Sequence, residues 1–167
     1  MNRESKTRWF IALSALVVLG AAAYLALRAP VAPEVTFVSL TGEKITMTDL
    51  RGKVTLVNFW ATDCVVCRKD MPELVRTYQT YRERGVVVVA VAMRYDPPNY
   101  VLRYVEQEKL PFTVALDPLG ELARAFGDVR ATPTLVVVDK SGRILSRVVG
   151  EPDFPALHRL LDAALAA

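Results

Sequence analysis

Histidine and cysteine are scarce in this sequence. His158 is the only histidine, and Cys64 and Cys67 are the only cysteines, among 167 residues. Two thiols cannot build a disulfide-dense framework or a four-thiolate zinc site. There is no Gly-x-y repeat, no heptad run and no internal repeat, which excludes fibrous and solenoid architectures. An excess of one charge sign is also missing beyond the first 28 residues. Arg3, Lys6, Arg8 and Arg28 supply four of the 21 basic residues and Glu4 one of the 18 acidic ones, leaving 17 against 17 from Ala29 onward. The net charge of +3 is therefore set by the N-terminus and marks no nucleic-acid-binding face. With 52% hydrophobic and 23% charged residues the chain is not disordered, and its length suits one domain of ordinary size.

The longest apolar run is Trp9–Leu27, 19 residues without a charge. As a helix it spans a hydrocarbon core of about 30 Å. Arg3, Lys6 and Arg8 precede it, which puts residues 1–8 in the cytoplasm and the rest of the chain outside. Residues 9–28 are thus expected to be a retained single-pass anchor in a bacterial inner membrane, with the domain facing the periplasm or outer side. The competing reading is a cleaved signal peptide, for which Ala21-Ala22-Ala23 offers a small-residue site. Ala29-Pro-Val-Ala-Pro33 reads as a stiff, extended linker, with residues 29–35 before a folded domain at 36–167.

Within that domain, Val35–Leu40 and Lys44–Met47 flank Thr41-Gly42-Glu43 as a hairpin. Val54–Trp60 reads as a strand buried on both faces, and Val86–Met93 as a central parallel strand. A helix is expected from about Cys64 to Arg84, with Pro72 kinking it. Pro97-Pro98 opens another, to about Lys109. Thr113–Leu116 is a short strand, and Leu119–Phe126 a short helix ended by Gly127. Thr134–Val138 and Arg143–Val149 form a second hairpin, and Phe154–Leu165 a closing amphipathic helix. Strands alternating with helices, then a hairpin, predict an α/β domain with a mixed sheet.

The chemistry sits at Cys64-Val-Val-Cys67, directly after a buried strand and at the opening of a helix. There the first thiolate faces unpaired N–H groups and the positive end of the helix dipole, which favour it. The second cysteine, one turn further in, can attack a mixed disulfide and release the product. Other readings of the pair are a buried structural pair, a structural disulfide and a metal site. So short a bridge removes little chain entropy. A metal would need further ligands, and His158 reads as a surface residue of the last helix.

Asn58-Phe-Trp-Ala-Thr-Asp-Cys-Val-Val-Cys67 together with Ala131-Thr-Pro-Thr-Leu135 resembles the thioredoxin superfamily, and more closely its membrane-anchored TlpA/ResA-type branch. The resemblance covers about Thr36 to Leu165. It implies a thioredoxin-like fold, with an N-terminal β-hairpin and a central βα insertion at about Val86–Lys109, preceded by one transmembrane helix. It implies that Cys64 is the exposed nucleophile, Cys67 the resolving thiol, and that the two form a redox-active disulfide. Pro133 would ordinarily be a trans strand-edge proline; the resemblance implies a cis Thr132–Pro133 bond beside the pair, where an extended substrate docks. Asn58 stands where thioredoxin itself has a buried acid. Asp70 aligns with an acidic position near the active site that is usually Glu; on sequence grounds it could equally be a solvated helix-surface acid. Trp60 matches the aromatic before the site, as a substrate contact or a core residue. The sequence departs from the pattern at Asp63, where Trp is usual, and at Val65-Val66, where Pro often precedes the second cysteine. A carboxylate beside Cys64 disfavours its thiolate and pushes the couple toward reducing potentials.

The function expected from the resemblance is a tethered extracytoplasmic thiol–disulfide oxidoreductase that reduces protein disulfides, apocytochrome c among them, recharged by a membrane electron donor and using no cofactor. The same fold could instead serve a disulfide donor or isomerase. A peroxidase of the related redoxins would need Pro-x-x-x-Thr-x-x-Cys, and a copper-assembly chaperone Cys-x-x-x-Cys with a distant histidine. Neither segment occurs.

Overall fold

A computed structural model describes residues 30–167. The expected anchor at 9–28 and the basic segment at 1–8 lie outside the described residues. Among the described residues no helix is long and apolar enough to cross a membrane.

Among the described residues, seven strands and four helices follow in the order β1 (Thr36–Val38), β2 (Lys44–Thr46), β3 (Val54–Trp60), α1 (Val65–Tyr81), β4 (Val86–Ala92), α2 (Pro98–Glu108), β5 (Thr113–Leu116), α3 (Glu121–Ala125), β6 (Thr134–Val138), β7 (Ile144–Val149) and α4 (Phe154–Ala166). A 3₁₀ turn, Arg82–Arg84, continues α1 and stops at Gly85, whose φ of 98° suits a residue without a Cβ. The main sheet runs β5-β4-β3-β6-β7; β1 and β2 form a separate hairpin. Within the sheet β3 pairs parallel to β4 and β4 to β5, while β6 is antiparallel to both β3 and β7. Parallel neighbours need crossovers, and α1 and α2 supply them. The fold is thioredoxin-like, a mixed sheet with flanking helices.

All seven residues of β3 are buried, as a strand covered on both faces requires. Its alternation divides the core. Val54, Leu56 and Trp60 pack with Met71, Leu74 and Leu161 beneath α1 and α4. Val57 and Phe59 face the other way, onto Phe37, Met47 and Phe126. Each such side chain contributes about 1.5–3 kcal/mol of apolar burial. Asn58 shares the α1 side of the strand, so a polar group lies beneath the start of α1.

The segment expected to be a stiff, extended linker is partly docked. Val31 bridges to Arg143, the Ala32 N–H donates to the Gly142 carbonyl (2.8 Å), and Ala32 is buried. The prolines set an extended backbone, which here adds a bridge to a hairpin turn. The third helix is shorter than expected because Gly120, at φ 68°, turns the chain late and the Asp117 carboxylate accepts from the Leu122 and Ala123 N–H groups. The register Trp60↔Ala92 and Phe59↔Thr134 brings the C-terminal ends of β3 and β4 to the start of β6.

Candidate active site

The sharp exit from β3 at Ala61 places Cys64 at the N-cap of α1. Its backbone is extended (φ −77°, ψ 104°), and its sulfur accepts from the Cys67 N–H at 3.1 Å. The two cysteines are joined as a disulfide, with Cα atoms 5.2 Å apart. The pair is asymmetric in exposure. Cys64 is half-buried, whereas Cys67, one turn in, is 2% exposed. Val65 and Val66 between them face solvent, Val65 at 70% exposure.

Thr132–Pro133 is a cis peptide bond. Pro133 is buried and lines, with Cys67, Asn58, Asp70, Met71 and Phe154, a cavity of about 10 Å³ behind the disulfide. That is space for about one water. The Pro133 carbonyl accepts from Gly150 N–H (2.8 Å), and Thr134 Oγ1 donates to the Ala131 carbonyl (2.7 Å), so the loop is fixed from both sides.

Asp70 is not a solvated surface acid. It lies on the inner face of α1, 9% exposed, and its Oδ2 is buried without a hydrogen-bond partner among the described residues. Burial pushes its carboxyl above the ordinary range; the Glu151 carboxylate adds to that and Lys69 opposes it. Glu151 itself is paired with Lys69 at 2.7 Å. The signal for this burial is in the sequence: Cys67, Asp70, Met71 and Leu74 follow the i, i+3, i+4, i+7 spacing of one helix face.

Trp60 is fully buried and packs on Tyr104, ring centroids 5.1 Å apart. Asp63 is exposed, beside Cys64. His158 is half-buried and not a free surface residue: its Nε2 hydrogen-bonds Thr77 Oγ1 at 2.9 Å and its ring lies against Tyr81. Thr77 is ten residues along α1 from Cys67, about 15 Å of helix, so this imidazole belongs to the α1–α4 contact.

Asp96 was not foreseen. It is 6% exposed, and its carboxylate accepts from the Thr62 N–H (2.6 Å) and from Thr62 Oγ1 (2.5 Å). Both carboxylate oxygens thus hold the turn that delivers Cys64. No local pattern announces a bond between residues 34 apart.

A Cys-x-x-Cys disulfide capping a helix, over a buried acid and beside a cis-proline, in a thioredoxin-like sheet, defines a thiol–disulfide oxidoreductase. The chain belongs to the Redoxin family, which it matches over residues 28–161. Within it, the chain is of the TlpA/ResA-like kind. It is 36% identical over 130 residues to the thiol-disulfide oxidoreductase ResA of Bacillus thuringiensis subsp. konkukian, covering 78% of this chain and 74% of that protein. Among solved structures, a candidate thioredoxin from Neisseria meningitidis superposes with a TM-score of 0.76 at 40% identity, over 81% of this chain and 90% of that one. A thiol:disulfide interchange protein of the thioredoxin family from Chlorobium tepidum gives 0.75 at 30% identity, over 83% and 97%.

Proposed function

We propose that this enzyme is a membrane-tethered, extracytoplasmic reductase of protein disulfides, with Cys64 as the attacking and Cys67 as the resolving thiol. The observation that carries the assignment of roles is the asymmetry of the pair: Cys64 caps the helix at the surface, and Cys67 is buried behind it. In the reduced enzyme the Cys64 thiolate attacks one sulfur of the substrate disulfide. A Cys64–substrate bond forms and the other substrate sulfur leaves as a thiolate. The Cys67 thiol then loses its proton and attacks Cys64 Sγ. The second substrate sulfur departs, and two electrons have passed from the dithiol to the substrate. Asp70 lines the same small cavity as Cys67, which supports it as the carboxyl that takes that proton. The backbone edge at Thr132–Pro133 pairs with the substrate in extended form, beside the exposed Val65 and Val66.

The apolar run Trp9–Leu27, preceded by basic residues, supports a retained anchor at 9–28 with the domain outside the cytoplasm. An oxidising compartment demands a steady electron supply, and a tether keeps the enzyme beside a membrane donor. Protein disulfides such as those of apocytochrome c are the substrates this reading implies. Asp63, next to Cys64, disfavours the anionic form and so favours a reducing couple.

Equilibration of the purified chain against glutathione tests the direction. A potential near thioredoxin's, about −270 mV, is expected; a value above about −180 mV overturns the reductase reading in favour of a disulfide donor. Recovery of the intact N-terminus in the membrane fraction tests the tether, and quantitative release of soluble chains beginning near Tyr24 overturns it.

A further inference from the structure

A second concavity adjoins the disulfide end of the sheet. It has a volume of about 380 Å³ and is walled by the residues that follow β4 and β5, by α3 and by the loop leading to β6. Clefts beyond the C-terminal ends of parallel strands are the usual ligand positions of α/β sheets. Three guanidinium groups line this one, those of Arg94, Arg124 and Arg130, with Asp117 and Asp128 as the acidic residues.

The acids are occupied. Asp117 is 3% exposed and spends both carboxylate oxygens on the N–H groups that open α3. Asp128 pairs with Arg130. Arg124 donates to the Leu119 carbonyl (3.0 Å), a neutral partner. Among the described residues neither Arg94 nor Arg124 has a carboxylate within ion-pair distance. Two guanidinium charges therefore face the cleft without a counter-ion from the described fold.

The cleft is also tied to the redox site. Tyr95, on its wall, shares a 3.3 Å hydrogen bond between its hydroxyl and Thr132 Oγ1. Arg130 is two residues before Thr132. A polypeptide laid in extended form along the Thr132–Pro133 edge advances about 3.3 Å per residue.

We propose that this cleft binds the carboxylates of an acidic stretch in the substrate protein, a few residues from the disulfide being reduced. Guanidinium forks suit carboxylates, and at a half-open site they act mainly on encounter rate and choice of partner. The proposal rests on the docking mode given above and names the class of substrate that mode favours.

The test uses the full chain and three peptides. Each carries the same single intrachain disulfide, flanked on both sides by three Glu, three Gln or three Lys residues. At low salt the reduced enzyme is expected to exchange with the Glu peptide about threefold to tenfold faster, in kcat/KM, than with the Gln peptide, and slowest with the Lys peptide. The advantage should shrink at about 0.5 M salt. R94Q and R124Q, separately and together, should erase it and leave the Gln-peptide rate unchanged. Equal Glu and Gln rates at low salt overturn the proposal, as does an advantage that survives both substitutions. If a substituted chain does not fold, the ranking of the three peptides by the unsubstituted enzyme, with its salt dependence, decides the matter. The direction of exchange at equilibrium is read from the same reactions, so an enzyme that oxidises rather than reduces is recognised separately from one that ignores the flanking charge.

Discussion

The two ends of the central sheet are finished in different ways. At the end away from the disulfide, polar groups find partners. Asp139 Oδ1 accepts from the Ser141 and Arg143 N–H groups in the β6–β7 turn. Gly52 N–H donates to the Lys140 carbonyl, Lys140 Nζ to the Leu165 carbonyl, and Arg51 reaches both the Ser141 carbonyl and Glu34. At the disulfide end, Asp70 Oδ2 and Trp60 Nε1 are buried without partners among the described residues, and Val65, between the two cysteines, is 70% exposed. The same sheet therefore carries one end arranged for stability and one arranged for chemistry. Departures from good packing practice collect where a substrate must come and go.

That contrast can be broken by experiment. The largest effect belongs to the redox end: Cys64→Ser should lower disulfide exchange by at least about a thousandfold, while Cys67→Ala should accumulate mixed disulfides on Cys64, visible on a non-reducing gel. Labelling of Cys67 ahead of Cys64 by an alkylating agent at neutral pH would reverse the two roles.

Next comes the core on the opposite face of the sheet. Phe37 is fully buried against Phe126, ring centroids 6.3 Å apart. Phe37→Ala should cost about 3–5 kcal/mol in denaturant unfolding and leave the Cys64–Cys67 potential where it was. A displaced potential would mean that the two faces of the sheet are not independent.

Asp96→Ala tests the turn that carries Cys64 at the disulfide end. It removes the partner of a part-buried Thr62 N–H and hydroxyl, so a loss of about 1–3 kcal/mol is expected, together with a shifted potential, because the turn it releases carries Cys64. A stability loss with the potential intact would reduce Asp96 to a structural role.

The smallest effect concerns Asp70. In the unfolded chain its carboxyl titrates in the ordinary range; in the fold, burial raises it. The folded protein thus keeps the proton over a window in which the unfolded chain has lost it. Stability falls as pH rises through that window and stays lower above it. Asp70→Asn should flatten this slope and stabilise the protein at neutral pH by about 1 kcal/mol or less, since solvent at the cavity mouth screens part of the charge. It should also slow release of substrate from the mixed disulfide. Unchanged release would remove the proton-accepting role.

The strands that were legible in the sequence are those with continuous apolar runs closed by turn residues. Val54–Trp60, Thr113–Leu116 and Thr134–Val138 have the bounds that reading predicts. Helix ends were less so, because capping decides them: Asp117, four residues before Glu121, trims α3. Cys64 and Cys67 announced themselves through spacing and position. The bond of Asp96 to Thr62 could not, since its two partners are assembled by β4 running alongside β3. Asp70 lay between, written in the helical period and masked by its charge. The docking of Ala32 escaped notice because two prolines read as a spacer whether or not a hairpin turn lies alongside.

That docking has a mechanical consequence. Tension drawn through Pro30 reaches the domain at Val31 and Ala32, and so loads the β6–β7 turn, at the far end of β6 from Pro133. The first bonds in line are the Val31–Arg143 bridge and the single Ala32–Gly142 hydrogen bond. Behind them the Glu34 carboxylate holds Arg51 and Thr48, and the Val35 carbonyl accepts from the Met47 N–H (3.0 Å), so the strip is fastened again before the pull meets buried Phe37. A pull applied at Val31 is therefore shared among contacts to the β6–β7 turn, to Arg51 and to the residues around β2.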